Sequence, residues 1–346
     1  TLASQKGFST LLLERKKIPR PKICGGFISA RALKLLPEGL IKDLKCSYPL
    51  HILEVRKGRQ TYRFQSKAAC GILVERAGFD SLLLERAQNS GAVIADRCAA
   101  IRIIETGHPQ RGETVYRISI KGKSNSSFYA RYIVGADGAY GTTAQLSGLR
   151  NRKRCLSGLA YSIVRQRQFR KEDKLTFFPH PLLGGMSWSF EAGTICNMGC
   201  GGLCRKKTLK KIMARLFELS PEDKISGGWP LPFSGPLRKN AVNNILLIGD
   251  AAGLIEPFSG EGIYNAFKSA SLAVKAIAEA DVRGVKAASI YGPLLNKHFR
   301  KYFWANLIGA ACLHTLFIFA PARLPAKMAA LMENKLWFND PYLPDE

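Results

Sequence analysis

The sequence predicts an α/β protein in which a parallel sheet with covering helices alternates along the chain with a second, β-rich domain. Three observations predict it. Apolar runs at 11–13, 132–134 and 245–248 close on Glu14, Asp137 and Gly249-Asp250 respectively, and an unbroken apolar run that stops abruptly reads as a strand covered on both faces. Segment 244–266, N-I-L-L-I-G-D-A-A-G-L-I-E-P-F-S-G-E-G-I-Y-N-A, joins such a strand through a Pro/Gly turn to a helix that starts on Gly-Glu-Gly. Between these segments, 48–64 and 116–120 are alternating or β-rich and suit strands of the second domain.

At the amino end, residues 1–6 read as the tail of a helix, and 7–15 as a strand closing on Glu14 and Arg15. An acid at the end of the second strand of a dinucleotide fold receives ribose hydroxyls. No G-x-G-x-x-G precedes it, so the first strand and its pyrophosphate-cradling glycine loop are expected upstream of residue 1. Next comes Pro19-Arg20-Pro21-Lys22-Ile23-Cys24-Gly25-Gly26. Paired glycines let a backbone approach a planar ligand closely, and a basic pair offsets ligand charge. Cys24 is a candidate active-site thiol in this setting, although a lone cysteine is more often a small buried hydrophobe.

Arg76, in Val74-Glu75-Arg76-Ala77-Gly78-Phe79-Asp80, offers a planar guanidinium to a phosphate. The same residues also read as a helix start capped by Asp80 with Arg76 exposed. Further on, 132–139 gives a strand and an Asp137-Gly138 turn. In 184–190, alternation points Met186, Trp188 and Phe190 to one strand face, either as a cavity wall or as plain core. In segment 244–266, Asp250 stands at the carboxyl edge of its strand, where ligands of α/β sheets bind and a carboxylate can accept hydroxyl hydrogen bonds. Pro257, Gly260, Glu261 and Gly262 then bring bare N–H groups to the helix start at Ile263, which favours an anionic or electron-rich ligand.

Segment 244–266 resembles the second FAD-binding motif of flavoproteins built like p-hydroxybenzoate hydroxylase, and its G-D-A-A-G…P-x-x-G-E-G-I form resembles geranylgeranyl reductases. The P-x-x-K-x-C-G-G loop, the R-x-x-F-D-x-x-L stretch at Arg76 and the Asp137-Gly138 turn agree, so the resemblance spans nearly the whole chain. It implies a Rossmann-like FAD-binding domain of residues 1–45, 70–150 and 240–285. Interleaved with it is a β-sheet substrate domain of 47–66 and 155–238, and a C-terminal helical region, 286–346, follows. The residues implied to hold FAD are Glu14, Arg15, Lys22, Cys24, Gly25, Gly26, Arg76, Asp137, Gly138, Gly249, Asp250, Pro257, Gly260, Glu261, Gly262 and Ile263. Cys24, Trp188 and Phe190 are implied to face the reaction.

Two departures stand out. The family follows its Asp-Gly turn with a Ser and then an Arg, where this chain has Gly141 and Gln145, which weakens the expectation of nicotinamide contact there. In the family's G-Y-x-W-x-F-P strand, Met186 replaces the Tyr and Glu191 the Pro. The resemblance implies an FAD-dependent oxidoreductase reducing carbon–carbon double bonds of a hydrophobic isoprenoid or lipid-like substrate, with NAD(P)H, ferredoxin or a quinone as electron donor. Rival readings are an aromatic-type flavin monooxygenase on the same scaffold and, for want of the glycine loop, a non-catalytic binding protein.

Composition fits a folded chain of 346 residues with 46% hydrophobic and 23% charged residues. Its net charge of +26, from 52 Lys/Arg against 26 Asp/Glu, attracts anionic partners such as lipid headgroups. Nucleic acid is not expected, since no nucleic-acid-binding module is recognisable. Nine cysteines, an odd number without a small-scaffold pattern, suggest a reducing, cytoplasmic setting. Cys196, Cys200 and Cys204 recur every four residues, but the glycines between them argue against a helix and no fourth ligand is evident, so no metal site is expected. Residues 303–320 lack Lys, Arg, Asp and Glu and are flanked by Arg300, Lys301, Arg323 and Lys327. Short of the roughly 20 apolar residues of a membrane span, they read as a helix that covers the substrate tunnel, dips peripherally into a membrane surface or lies against the core.

Overall fold

The structure, a computed structural model, describes residues 1–319 apart from 21, 45–46, 108–113, 123–125, 150–156, 167–171, 181–184, 221, 224, 226–227, 234, 236–238 and 258. Pro21, Gly184, Arg323 and Lys327, singled out above, lie outside the described residues, as do two of the nine cysteines, Cys46 and Cys155. From the amino end run α1 (Leu2–Gln5), β1 (Leu11–Glu14), β2 (Phe27–Ser29), α2 (Ala30–Leu33), β3 (Ser47–Leu50), β4 (Ile52–Lys57), β5 (Gln60–Gln65) and β6 (Gly71–Val74). Helix α3 (Arg76–Asn89) leads to β7 (Val93–Asp96), β8 (Ala99–Glu105), β9 (Tyr116–Lys121), β10 (Ser126–Ala130) and β11 (Ile133–Gly135). After α4 (Thr143–Leu146) come β12 (Ser157–Gln166), β13 (Lys174–Pro179), β14 (Met186–Ala192), β15 (Ile195–Gly202), α5 (Lys206–Leu216), β16 (Trp229–Pro232), β17 (Ala241–Val242) and β18 (Ile245–Leu247). A 3-10 turn at Gly249–Ala252 precedes α6 (Ile263–Arg283) and α7 (Ala287–Phe319).

The mixed α/β architecture matches the expectation, and its parallel elements are the apolar runs. β1 pairs with β7 and β11 with β18, both in parallel, and Glu14 lies opposite Asp96 at the carboxyl edge of the first pair. Ile245, Leu246 and Leu247 are all buried, as an apolar run without alternation requires. Among the described residues the two parallel pairs share no ladder, and Leu11 and Val134 are exposed.

Seven strands form the large sheet in the order β16-β12-β15-β14-β13-β4-β5, antiparallel except between β13 and β4. On one face Leu53, Leu175, Phe177 and Phe190, with Met186 and Trp188 beside them, pack against Phe27, Tyr48, Cys70 and Leu73. Those partners come from or adjoin the small sheet β2-β6-β3. On the other face Tyr161, Ile163, Met198 and Cys200 are covered by Leu209 and Met213 of α5. The alternation of β14 thus separates two environments, and the face bearing Trp188 and Phe190 looks toward the Cys24 loop.

Helix α6 ends on Gly284, whose φ of 63° is the left-handed cap that glycine adopts without strain. Ala273, Ala276 and Ala280 are small enough to bring α6 against Tyr291, Leu295 and Phe299 of α7. The apolar stretch at 303–320 is not a separate helix. Its described part is the outer half of α7, which runs unbroken from Ala287 through Pro293. The backbone hydrogen bond that Pro293 forgoes is offset by a buried stripe of Tyr291, Leu295, Phe299 and Phe303 at four-residue spacing. On the opposite side Trp304 and Ile308 are exposed. Among the described residues no helix is long and apolar enough to cross a membrane.

Candidate active site

The Cys24 loop is built by glycines. Gly26 has a φ of 78°, and a Cβ there would sit 2.6 Å from the Val74 carbonyl oxygen. Val74 N donates to Gly26 O at 2.9 Å, so the loop enters β2 already paired to the end of β6. A Cβ on Gly25 would meet the Phe190 ring at 2.7 Å and Trp188 Nε1 at 3.5 Å. Only glycine lets the loop lie flat on that aromatic wall. Gly26 N donates to Cys24 Sγ at 3.4 Å, and Phe177 and Phe27 stack around Phe190 at centroid distances of 5.3 and 6.1 Å.

Arg76 joins this group. It holds Asp80 through Nη2 at 2.8 Å, and its side chain is only 13% exposed. Burial opposes its charge, but Cys24 and Asp80 alongside outweigh burial and raise its pKa, so it stays cationic. These residues do start a helix, but its cap and the exposure of Arg76 differ from the expectation. Glu75 caps α3, accepting from Ala77 N at 3.0 Å and Gly78 N at 2.9 Å, while Asp80 is the ion partner of a largely buried Arg76.

A second group surrounds the start of α6. Gly249, at a φ of 52°, ends the strand, and its N–H donates to Ser269 Oγ at 3.0 Å. Asp250 follows, half-buried, and its carboxylate has no partner among the described residues. A Cβ on Gly262 would lie 3.3 Å from Asp250 Oδ1, and the Gly262 N–H is likewise unpartnered among the described residues. Pro257 and Gly260 shape the turn, with Gly260 N donating to Glu256 O at 3.0 Å. Glu261 turns inward. Its carboxylate accepts from Ser29 Oγ and from Arg31, whose Nε lies at 2.9 Å. Ile263 is half-buried and packs with Phe79 and Tyr264. Since β2 runs directly from Gly26 to Ser29, the Ser29–Glu261 contact links the two groups.

The remaining expected residues stand apart from these two. Glu14 accepts from Arg20 Nε at 2.7 Å and Lys16 N at 2.9 Å, Arg15 is exposed, and Lys22 is half-buried. Asp137, exposed, accepts from Thr143 N at 2.8 Å and Thr143 Oγ1 at 2.9 Å. A Cβ on Gly141 would lie 2.1 Å from Asp137 Oδ1, so a side chain there would displace the Asp137 carboxylate from Thr143. Gly138, at a φ of 78°, faces the Trp229 ring, whose buried Nε1 has no partner among the described residues. Cys196 and Cys200 lie on β15 and not on a helix. The Cys200 thiol, pushed up to about 11 chiefly by burial, is 3.5 Å from His180 Nε2. Among the described residues no group of three His, Cys, Asp or Glu is placed to hold a metal.

Three residues escaped the sequence reading. Asn197 donates from Nδ2 to Cys24 O at 2.8 Å and accepts from Trp188 Nε1 at 3.1 Å. Arg31 anchors Glu261, with Tyr264 and Tyr302 stacked on its guanidinium at 4.6 and 5.2 Å. Trp229 supplies the indole beside Gly138. A polar residue interrupting an apolar strand was the one available signal, and it marked Asn197.

The residues present fit a flavin. Asp250 and Gly262 set an acceptor beside an N–H donor, both without a partner among the described residues, the pair that ribityl hydroxyls and a ring carbonyl require.

No protein-family profile matches the chain. It is 30% identical over 304 residues to digeranylgeranylglycerophospholipid reductase 1 of Methanopyrus kandleri, covering 81% of this chain and 77% of that protein. Its fold is that of a geranylgeranyl bacteriochlorophyll reductase-like protein from Thermoplasma acidophilum, with a TM-score of 0.75, 21% identity and coverage of 96% and 87% of the two chains. It also overlays a probable FAD-dependent monooxygenase from Pseudomonas aeruginosa with a TM-score of 0.67 at 14% identity, covering 95% and 94%, a likeness of fold alone. With that level of identity along most of both sequences, the chain belongs to the geranylgeranyl reductase family of FAD-dependent oxidoreductases.

Proposed function

We propose that this protein uses FAD to reduce carbon–carbon double bonds in the prenyl chains of a glycerophospholipid. The observation that carries the reading is the seat of the Cys24-Gly25-Gly26 loop on Trp188 and Phe190, which puts a cysteine next in sequence to the glycine that lies against those aromatic rings. Such a wall suits an isoprenoid chain better than a polar metabolite. The name of the Methanopyrus relative supports the same substrate class.

Bound FAD supplies the electron pair of the reduction. In this reading Asp250 would accept hydrogen bonds from cofactor hydroxyls, and the Gly262 N–H, at the positive end of α6, would favour an electron-rich part of the cofactor. Cys24 Sγ would be the proton donor to the alkene, and a positioned acid adds roughly 10²–10⁴-fold. Arg76 fixes a positive charge beside that thiol. The outward face of α7, with Trp304 and Ile308 exposed beyond Arg300 and Lys301, meets an anionic lipid surface from the cytoplasmic side. NAD(P)H and ferredoxin are the electron donors to compare, by bleaching of bound flavin.

Anaerobic incubation of reduced, FAD-loaded protein with a geranylgeranyl glycerophospholipid tests the reading. Mass spectrometry should find two hydrogens added per turnover, with Cys24→Ser retaining flavin yet altering turnover or product distribution. A product that forms only with oxygen and carries a hydroxyl would establish the monooxygenase instead.

A further inference from the structure

We propose that Asn197 is a positioning residue, whose carboxamide holds the Cys24 loop against the Trp188 wall and so sets the distance between thiol and substrate chain. The inference rests on the reductase reading above and names a determinant of the same site.

The register of the large sheet makes the bridge possible. β14 and β15 are antiparallel, with Trp188 opposite Gly199 and Phe190 opposite Asn197. A Cβ on Gly199 would fall 2.0 Å from the Trp188 ring, so the indole lies across the neighbouring strand only because residue 199 has no side chain. Crossing there, the indole reaches the diagonal neighbour two residues away, within range of a long side chain. Its N–H, a donor with no acceptor capacity, meets Asn197 Oδ1 at 3.1 Å. The other end of the amide, Nδ2, donates to the Cys24 carbonyl at 2.8 Å.

The chemistry of the partners fixes the amide's orientation. Turned end for end, it would set an NH₂ against the indole N–H and an oxygen against the Cys24 carbonyl, two repulsions in place of two bonds. Asn197 is 6% exposed, so water does not substitute for either partner. Among the described residues it is the sole hydrogen-bond partner of both the Cys24 carbonyl and the Trp188 indole. The loop's other ties are the Arg20–Glu14 pair before Cys24, Arg76 beside the thiol, and Gly26 with Val74 beyond it. Loss of the Asn197 bridge therefore releases the Cys24 backbone between two anchored ends, and it lets Trp188 swing independently of Cys24.

Asn197→Asp is the informative substitution because it is isosteric. It retains an acceptor for Trp188 but aims a carboxylate oxygen at the Cys24 carbonyl, while Asn197→Leu removes both bonds. Alkylation of Cys24 by iodoacetamide, followed by peptide mass spectrometry with exposed Cys312 as internal reference, reads loop position without requiring turnover. In the FAD-loaded protein Asn197→Asp should change the Cys24 rate about tenfold, the scale of one buried hydrogen bond, and leave the Cys312 rate unchanged. On the prenyl lipid it should lower kcat by about the same factor, leave KM within about twofold and shift the products toward incompletely reduced chains. Parental Cys24 alkylation and parental product distribution in folded Asn197→Asp would overturn the proposal, whatever Asn197→Leu does to the fold. If the parent reduces no prenyl lipid, the substrate reading fails. The alkylation rates still decide whether Asn197 holds the loop.

Discussion

Arg31 donates from Nε to the Glu261 carboxylate at 2.9 Å, across 230 residues of sequence. The contact ties α2 to the turn that starts α6. Both side chains are largely buried, at 14% and 10% exposure, and Ser29 shares the carboxylate. Burial opposes the charge on Arg31, yet Glu261 and Tyr302 outweigh it and the pKa rises. Arg31→Ala leaves Glu261 buried without its cation, so urea unfolding should show a loss of roughly 3–5 kcal/mol. A change below about 1 kcal/mol would mean that the turn is held by its own hydrogen bonds.

Asp250 should matter to the cofactor more than to the fold, because its carboxylate has no partner among the described residues. Asp250→Ala is expected to lose flavin, seen as a lower ratio of visible to ultraviolet absorbance, with an unchanged melting temperature in the apo protein. Each charge-assisted bond forgone is worth roughly 1.5–3 kcal/mol. Equal flavin retention would remove Asp250 from the site.

The close approach of the Cys24 loop to Phe190 predicts a compensating pair. Gly25→Ala drives a methyl group to 2.7 Å from the Phe190 ring, and the overpacked contact should destabilise by about 1–3 kcal/mol. Phe190→Leu in the same chain makes room, so the double variant should recover much of that loss. Strictly additive losses would show that the two residues do not press on each other.

Acid sensitivity has an identifiable contributor in Asp223. Its hydrogen bond from Arg165, Nε to Oδ1 at 3.0 Å, holds the carboxyl at about 2, below its ordinary 3.8. A depressed carboxyl stabilises the fold above its unfolded pKa, and that contribution disappears as pH falls through the folded value. Parent and Asp223→Asn should therefore differ in stability at neutral pH and converge between about pH 4 and pH 2. A difference that persists unchanged to pH 2 would exclude titration of Asp223 as the cause.

What the sequence disclosed was local. Ile245 to Leu247 announced a buried strand because no polar residue interrupts them, and Trp188 and Phe190 shared a face because a strand repeats every two residues. What it concealed depends on partners far along the chain. Nothing near Asn197 indicates Cys24, 173 residues away, and nothing near Arg31 indicates Glu261. Glu261 itself, expected at the ligand, is drawn to Arg31 because a carboxylate beside a buried guanidinium has no better partner. The helical region expected over 286–346 contains α7, but that one helix continues through Pro293 is visible only once Tyr291 and Leu295 are seen to bury on either side of it.

The hold of Asp137 on Thr143 depends on the smallness of its neighbour. With the carboxylate on Thr143, a Cβ at position 141 would stand 2.1 Å from its oxygen. In this chain a side chain at 141 would therefore push the exposed acid off the start of α4. Gly141 thus acts at one remove, by leaving the carboxylate the space in which it braces the backbone.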